Sequence, residues 1–495
     1  MALLEVLVRV MSTFTHRFPA FSLAPQAAPT AAFEVLGYLC AVGIGTLCFL
    51  LGCLSPEGAV VLTALFLTSL VVLAWYRFDQ GRHPCFLLLC SLLFIQGGGL
   101  LAYCLGAHND PLRVEYMAPN PFYVSRDEAG IALLSLVLAA ICIYAPCRWN
   151  YRRIPPPSDV KVRPYLPYLY LLFFLTLPVQ LFKNYHTYQY IQEHGGYTFY
   201  FVSHAALTAS MPFLVRIIPP LVTFSTFVAI FVFERKMKRL FLVTMLYFST
   251  ASFILLLGSK VAAFSLVPAL WYVARIKSTK PARILRMVAV LLLLLMVAEA
   301  INKLRGGEDV ITPFSPLKVL ATQTDSFNVT EILVKYRRIF SPYALSYSLR
   351  ELRDAFVATD ASNYYRGRSL DKDVPAFLNP ALVAQGFGTG SSFVGEEYVI
   401  GGLAGVIIIS VLIGFGLRLA HHFSRNAESL FVVAMVLQQV LVMPRNGLLD
   451  WASVLMKSAV SIVLLVAGWQ LYSLLTSIRQ ETLGDGSTVA AAVVR

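Results

Sequence analysis

Long apolar runs separated by short polar stretches dominate the chain. A helix needs about 20 mostly apolar residues to cross the hydrocarbon core of a bilayer. Twelve runs reach or approach that length, at residues 35–53, 59–76, 85–105, 130–145, 164–181, 212–233, 240–257, 261–274, 284–300, 400–419, 430–443 and 451–475. The pattern predicts an all-α polytopic membrane protein with about 12 transmembrane helices.

The longest polar stretch, residues 302–398, separates the ninth apolar run from the tenth. Two segments of it, 328–340 and 348–356, are predicted to be short helices, because each opens with the residue pair of a capping box. These pairs are Asn328 with Glu331 and Ser348 with Glu351. The predicted organisation is a cytoplasmic tail or interfacial helix, nine transmembrane helices, a large outer loop, three transmembrane helices and a cytoplasmic tail, at residues 1–34, 35–301, 302–398, 399–475 and 476–495.

The positions of lysine and arginine predict the orientation. Cytoplasmic loops of membrane proteins carry an excess of both residues. If the N-terminus is cytoplasmic, the short inner loops contain eighteen of them and the short outer loops contain five. Both termini are therefore predicted to be cytoplasmic, and the loop 302–398 is predicted to lie at the outer face.

Composition agrees with a membrane protein and excludes other classes. Charged residues make up 14% of the chain, well below the roughly 25% of a soluble domain. The net charge of +13 lies mostly in short loops and does not form a basic patch, so nucleic acid is not a predicted partner. The eight cysteines lack CxxC or Cys/His ligand spacing, and no nucleotide-binding or hydrolase motif is present. No metal or cofactor is therefore predicted.

Four ionisable residues are predicted to lie at the outer ends of spans: Arg216, Lys260, Glu396 and Arg445. Charged groups in such places are costly and often functional. Arginine grips phosphate oxygens with two parallel hydrogen bonds, and a neighbouring carboxylate could accept a proton from a hydroxyl. Together these four residues favour an anionic, lipid-linked substrate. The alternative is that Arg216 and Lys260 extend to lipid headgroups and that Arg445 is an ordinary loop cation.

The loop 302–398 adds arginines to the same face. They are Arg305, Arg337, Arg338, Arg350, Arg353, Arg366 and Arg368. These side chains either bind the same anionic substrate or are solvated and paired with acidic residues of the loop.

Several short motifs resemble those of bacterial oligosaccharide repeat-unit polymerases, the Wzy-type enzymes of O-antigen, capsule and exopolysaccharide assembly. Residues 386–405 resemble the family's G-E-x-Y…G-x-x-G signature, with Glu396 and Tyr398 in its first half. Residues 257–260 resemble its G-S-R/K step, although Lys260 stands where arginine is commoner. Residues 216–220 and 444–447 resemble its outer-face arginine motifs.

The resemblance implies a membrane glycosyltransferase of the GT-C kind in the bacterial inner membrane. The donor would be a growing glycan on undecaprenyl pyrophosphate, and the acceptor would be an incoming lipid-linked repeat unit. A co-polymerase that regulates chain length is the implied partner. Arg216, Lys260 and Arg445 would bind the pyrophosphates without a metal, and Glu396 would be either the base or the residue that orients an arginine. Residues expected to contact substrate are Arg305, Arg337, Arg338, Arg350, Arg366 and Tyr398.

Two alternatives stay open at this point. An O-antigen ligase has a similar plan and donor, but typically uses a histidine in its large outer loop, and residues 302–398 contain none. A transporter or lipid-linked oligosaccharide flippase would show two similar halves and charges at mid-bilayer. Here the halves differ and the charges lie at one face.

Overall fold

The computed structural model describes residues 55–107, 110–114, 122–149, 151–157, 163–194, 207, 211–256, 265–278, 280, 293, 296–297, 299–300, 303, 315–322, 324–350, 367, 369–381 and 390–493. In chain order the helices are α1 (Pro56–Arg77), α2 (Pro84–Ile95), α3 (Gly98–Cys104), α4 (Arg126–Arg148), α5 (Leu166–Glu193), α6 (Phe213–Ile218), α7 (Phe224–Phe233), α8 (Met237–Leu256), α9 (Val267–Lys277), α10 (Pro316–Ala321), α11 (Thr324–Lys335), α12 (Arg337–Phe340), α13 (Ala344–Ser348), α14 (Leu370–Leu378), α15 (Phe393–Phe423), α16 (Ala427–Val442) and α17 (Asp450–Val493). Two-residue strands, Arg113–Val114 and Phe122–Tyr123, pair antiparallel. A π turn, Pro219–Thr223, joins α6 to α7.

Six helical segments of the described residues are long and apolar enough to cross a membrane. They are α1, α4, α5, the combined α6–α7, α15 and the part of α17 that ends at Thr476. The bent pair α2–α3, with 61° between its halves, would be a seventh. The protein is thus a multi-pass helical membrane protein. The total of twelve stays a prediction, because run 35–53 and most of run 284–300 lie outside the described residues.

Local sequence explains where these helices begin and bend. Ser125 and Glu128 form a capping box at the start of α4, with each side chain accepting a hydrogen bond from the other residue's backbone N–H. This satisfies two of the N–H groups that a helix start leaves unpaired. Between α2 and α3 stand Gln96 and Gly97, followed by two more glycines. Gly97 has no room for a side chain, because a Cβ there would lie 2.8 Å from the carbonyl oxygen of Leu93.

Some predicted boundaries were wrong. Asn328 lies inside α11 and does not cap it, because the helix already begins at Thr324. Its amide instead donates hydrogen bonds to Pro111 O and to Glu331 Oε2. Ser348 is the last residue of α13, and Arg350 is helical again after a turn at Leu349. Residues 351–356 lie outside the described residues, so the predicted helix 348–356 stays a prediction. Helix α5 continues to Glu193, well beyond the predicted end at residue 181.

The centre of the fold is the contact between α15 and α4, which pack along each other more extensively than any other pair of described elements. Gly414 makes this close approach possible, because a Cβ there would lie 2.6 Å from the carbonyl oxygen of Ile143. Small residues have this role in many membrane helix pairs, since they let the backbones come together.

The polar connections gather at two ends of this bundle. At the end that we call the Glu396 end, Thr330 of α11 bonds to Gln96, and Ser391 before α15 bonds to the backbone of Arg445 between α16 and α17. At the other end, called the His83 end, Arg82 bonds to Ser278 O. In the described part of the chain, segments of the loop 302–398 and the 444–449 turn, both predicted to be outer, thus meet at one end. Segments near Arg82 and Ser278, both predicted to be inner, meet at the other. Which end faces the cytoplasm stays a prediction from the charge bias.

Candidate active site

A buried cluster of hydrogen-bonded polar side chains around Ser392 connects the segments of the Glu396 end. Ser392 caps α15 by accepting a hydrogen bond from Gly395 N over 3.1 Å. Gln96 Nε2 donates to Ser392 Oγ over 3.0 Å and also to Pro444 O. Thr330 Oγ1 lies 2.7 Å from Ser392 Oγ and donates to Gln96 Oε1 over 3.2 Å. Four segments far apart in sequence are thereby fixed relative to one another.

Glu396, in the first turn of α15, is buried and held by donors from three segments. Ser391 Oγ donates to Oε1 over 2.7 Å, and Leu448 N donates to Oε2 over 3.0 Å. Ser348 Oγ lies 3.4 Å from Oε2. Among the residues that the structure describes, no arginine or lysine forms an ion pair with this carboxylate. Glu396 therefore ties the 444–449 turn to the start of α15.

Arg445 lies in that turn, and its backbone oxygen accepts a hydrogen bond from Ser391 N over 2.7 Å. Its side chain crosses Gly390, where a Cβ would lie 3.0 Å from Arg445 Cγ and 3.4 Å from its Nε. Gly390 also has φ of +73°, a backbone conformation that a side chain disfavours. In the described part of the chain the half-buried guanidinium of Arg445 has no carboxylate partner.

Arg350 forms ion pairs with two carboxylates. Its Nη1 lies 2.7 Å from Asp371 Oδ1, and its Nη2 lies 3.2 Å from Asp450 Oδ2. Asp450 also accepts a hydrogen bond from Gly447 N over 2.9 Å. Arg350 thus joins α14 to the start of α17, and its charge is largely neutralised where it lies.

Arg337 lies against an interruption of α15. Gly402 has φ of 64° and ψ of −150° within that helix, and a Cβ at this position would lie 3.6 Å from Arg337 Nη1. The guanidinium carbon is 5.5 Å from the centre of the Tyr398 ring, within the range of a cation–π interaction. Arg337 Nε is buried without a hydrogen-bond partner, and no ion pair neutralises this side chain among the described residues. Tyr398 in the first half of the G-E-x-Y…G-x-x-G motif and Gly402 in its second half thus both lie against the side chain of Arg337.

Arg216 belongs to the same end but lies deeper. Ser461 Oγ of α17 donates to Leu221 O over 2.8 Å, so the helices carrying Arg216 and Ser461 run side by side. Ser461 is eleven residues after the start of α17, and Arg216 is five residues before Leu221. With a rise of about 1.5 Å per residue, Arg216 lies about 9 Å below the level of Asp450. Arg216 Nε is buried without a hydrogen-bond partner, and no described hydrogen bond or ion pair links Arg216 to the Glu396 network.

The other predicted site residues divide into two groups. Arg338 is exposed on α12, next to Arg337. Lys260, Arg305 and Arg366 lie outside the described residues, so their predicted roles stay predictions.

Several residues of this end were missed by sequence analysis: Gln96, Thr330, Ser391, Ser392, Asp371 and Asp450. Two of them carried a usable signal. Gln96 is a polar residue inside an apolar run and just before three glycines, and Asp450 is an acid at the mouth of a span. Ser and Thr side chains give no such signal, since they are common in apolar helices.

Among the described residues of this end, Arg337, Arg445 and Arg216 are partly buried arginines without a carboxylate partner, and Arg445 is attached to the polar framework through its backbone. Fixed, unneutralised guanidinium groups can stabilise negative charge that develops on an anionic group, because they need no reorganisation during the reaction.

The sequence also matches a known protein family. The family model of O-antigen polysaccharide polymerase Wzy matches residues 38–474. This range contains every residue discussed above. No curated protein and no solved structure matches the chain.

Proposed function

Because the chain belongs to the O-antigen polysaccharide polymerase Wzy family, we propose that it polymerises oligosaccharide repeat units carried on undecaprenyl pyrophosphate. The reaction takes place at the outer face of the bacterial inner membrane, at the Glu396 end of the bundle. The observation that carries the proposal is the family match over most of the chain. The unneutralised arginines at the Glu396 end support it, since both substrates carry a pyrophosphate.

The chemistry is a glycosyl transfer between two lipid-linked molecules. A sugar hydroxyl of the acceptor attacks the anomeric carbon of the donor glycan. A new glycosidic C–O bond forms, the bond from that carbon to pyrophosphate breaks, and the bond's electron pair leaves with the lipid pyrophosphate. The hydroxyl proton passes to a base or to solvent. Negative charge therefore grows on the departing phosphate in the transition state.

Arg445 and Arg337 are the described cations best suited to that charge. Neither is neutralised by a carboxylate, and each is held against a glycine of the chain segment that carries the family motif. A guanidinium can donate two parallel hydrogen bonds to one phosphate. Arg216 supplies a third positive charge, farther into the bundle. No metal or cofactor is part of this mechanism.

Glu396 acts in this proposal as a positioning residue. Both of its oxygens accept hydrogen bonds from the protein, and one donor is the backbone of the turn that carries Arg445. Loss of the carboxylate would release that turn and move the Arg445 guanidinium. Arg350 has a similar supporting role, because its guanidinium is bound to Asp371 and Asp450.

The test is polymerisation by the purified full-length protein in proteoliposomes. Given undecaprenyl-pyrophosphate-linked repeat units alone, without nucleotide sugar and with EDTA present, the protein should make a ladder of longer glycans on gels. A product formed only when lipid A core is added would identify a ligase, and movement of the lipid-linked glycan across the bilayer without elongation would identify a flippase. Loss of elongation in EDTA, restored by a divalent metal, would contradict the cation-only mechanism.

A further inference from the structure

The His83 end contains a small cavity whose lining is strongly basic. It measures about 90 Å³, and among the residues lining it are Arg152, Arg418, Arg425, His83, His421 and His422. No carboxylate of the described residues lines the cavity. On this measure one water needs roughly 10–15 Å³, so the space can hold a group of phosphate size.

His83 is one of the residues that line this cavity. The side chain is 1% exposed. Its Nδ1 caps α2 by accepting a hydrogen bond from Cys85 N over 3.1 Å. Burial, with His421 and Arg418 nearby, lowers the pKa of His83, so the ring is neutral. With the Nδ1 lone pair occupied, the ring proton is assigned to Nε2, which is buried without a hydrogen-bond partner in the described residues.

The three arginines of the cavity are not neutralised either. Arg418 lies over the Trp149 ring, with 6.0 Å from the guanidinium carbon to the ring centre, and Arg152 and Arg425 are exposed. None of the three has an ion-pair partner among the described residues. Arg82 and Arg153 of the same end show the contrast, since both pair with Asp79.

A metal ion fits this place less well than an anion. His83, Cys85 and Cys147 do offer three potential ligand atoms within 4.8 Å of one another. However, a ligating imidazole needs a free nitrogen lone pair, and the Nδ1 lone pair is occupied while Nε2 carries the proton. The nearby guanidinium groups add repulsion toward a cation. The same two features favour a negatively charged group.

The surface that leads to the cavity is apolar. Leu412, Phe415 and Leu419 of α15 are 62%, 42% and 46% exposed, and their spacing of three and four residues places them on one face of the helix. His422 continues this face, and Arg418 is adjacent to it. A molecule whose apolar chains lie along this stripe would bring its polar end to the arginines.

We propose that the His83-end cavity binds the phosphate group of an anionic phospholipid. Arg418 and Arg425 neutralise its charge, and the acyl chains lie along the Leu412–Leu419 stripe. Basic pockets between the ends of membrane helices bind anionic headgroups in this way. The inference does not rest on the polymerase reaction, since the cavity lies at the other end of the bundle from Glu396.

The test uses the full-length protein purified in a nonionic detergent and titrated with phosphatidylglycerol, with bound lipid read by native mass spectrometry. Phosphatidylglycerol should be retained, whereas phosphatidylcholine at equal concentration should not. The double variant Arg418→Gln/Arg425→Gln should bind phosphatidylglycerol at least about tenfold more weakly, since each cation near a headgroup contributes appreciably to binding.

Arg239→Gln is the matched control, because Arg239 is an exposed arginine of the same end that does not line the cavity. It should change the affinity less than twofold. Equal weakening by Arg239→Gln would show a diffuse surface-charge effect and overturn the proposal. If inorganic phosphate at millimolar concentration prevents all binding of phosphatidylglycerol, the cavity is instead a site for free phosphate. Thiolate-to-metal absorption on adding Co²⁺ to the lipid-free protein, lost in Cys147→Ser, would identify a metal site and would also overturn it.

Discussion

The two ends of the bundle use charged and polar side chains in opposite ways. At the Glu396 end, side chains bond to one another: Gln96 to Ser392, Arg350 to Asp371 and Asp450. At the His83 end, several cations instead bond to backbone carbonyl oxygens where helices and turns finish. Arg275 donates to Gln80 O and Lys280 O, and Lys277 to Phe231 O and Glu234 O.

This difference separates two reasons for a cation near a membrane face. A helix ends with carbonyl groups that have no partner within the helix, and a cation there satisfies them and suits the helix dipole. Lys277 therefore satisfies carbonyl groups at the end of α7, and Arg275 satisfies those of two turns. At the Glu396 end the framework holds some arginines in ion pairs and leaves Arg337 and Arg445 unneutralised. The unneutralised cations are the ones expected to meet a ligand.

The largest expected effect is in the labelling of introduced cysteines, which tests whether the two ends face opposite sides of the membrane. In a cysteine-free background, Leu345→Cys at the Glu396 end and Lys236→Cys at the His83 end place thiols at exposed positions. An impermeant thiol reagent added to intact spheroplasts should label Leu345→Cys and should label Lys236→Cys only after lysis. The positive charge concentrated at the His83 end is the physical reason. The reverse pattern would move every proposed site residue to the cytoplasm.

The next largest effect is expected for Arg445. If its guanidinium stabilises the departing pyrophosphate, Arg445→Ala should lower turnover about a hundredfold, as loss of one preorganised donor does elsewhere. Arg445→Lys keeps the charge but loses the planar fork, so it should recover only part of the rate. The measurement is the initial rate of elongation in proteoliposomes at matched protein levels.

Arg77→Ala is the control for this comparison. Arg77 is an exposed arginine at the end of α1, at the His83 end, and its loss should leave turnover unchanged. If Arg445→Ala elongates normally, the leaving group is stabilised elsewhere, and Arg337 and Arg216 become the residues to test.

Sequence analysis predicted the class of fold well, because a bilayer imposes a length and an apolar composition that a single helix must meet by itself. It also named Arg445 and Glu396, since ionisable residues at the ends of spans are rare, and it named Arg337 as one of several arginines of the loop 302–398. It could not sort the arginines. Whether Arg350 is paired and Arg337 is not depends on Asp371, Asp450 and the break at Gly402, and these contacts join segments that are far apart in sequence. The cavity at the His83 end was missed for the same reason.

Glu396 offers a test of positioning against acid–base chemistry, with a smaller expected effect. Glu396→Gln keeps the shape, and its amide can accept from Leu448 N through Oε1 and donate to Ser391 Oγ through Nε2. Both contacts can be kept, so turnover should fall less than about tenfold, the loss expected for roughly 1.4 kcal/mol. Because Glu396 acts through the turn, the shape of the pH–rate profile should not change. Disappearance of one limb of that profile in Glu396→Gln would instead identify the carboxylate as the base.

The smallest effect concerns stability at the Glu396 end. Glu331 on α11 is fully buried, and burial raises the pKa of its carboxyl group to about 8. The ordinary value is 4.5, so between pH 4.5 and 8 the folded protein holds a proton that the unfolded chain has lost. In that window the unfolded state binds fewer protons, and the free energy of unfolding falls as pH rises, with no further loss above the folded pKa.

Glu331→Gln removes this titration, while the amide oxygen can still accept the hydrogen bond from Asn328. The variant should therefore melt at nearly the same temperature as the parent at pH 5 and a few degrees higher at pH 8. The matched control is Glu428→Gln, since Glu428 is exposed at the start of α16 and its replacement should not flatten the pH dependence. A parent protein whose melting temperature rises from pH 5 to pH 8, or an equal flattening by Glu428→Gln, would show that Glu331 does not carry a raised pKa.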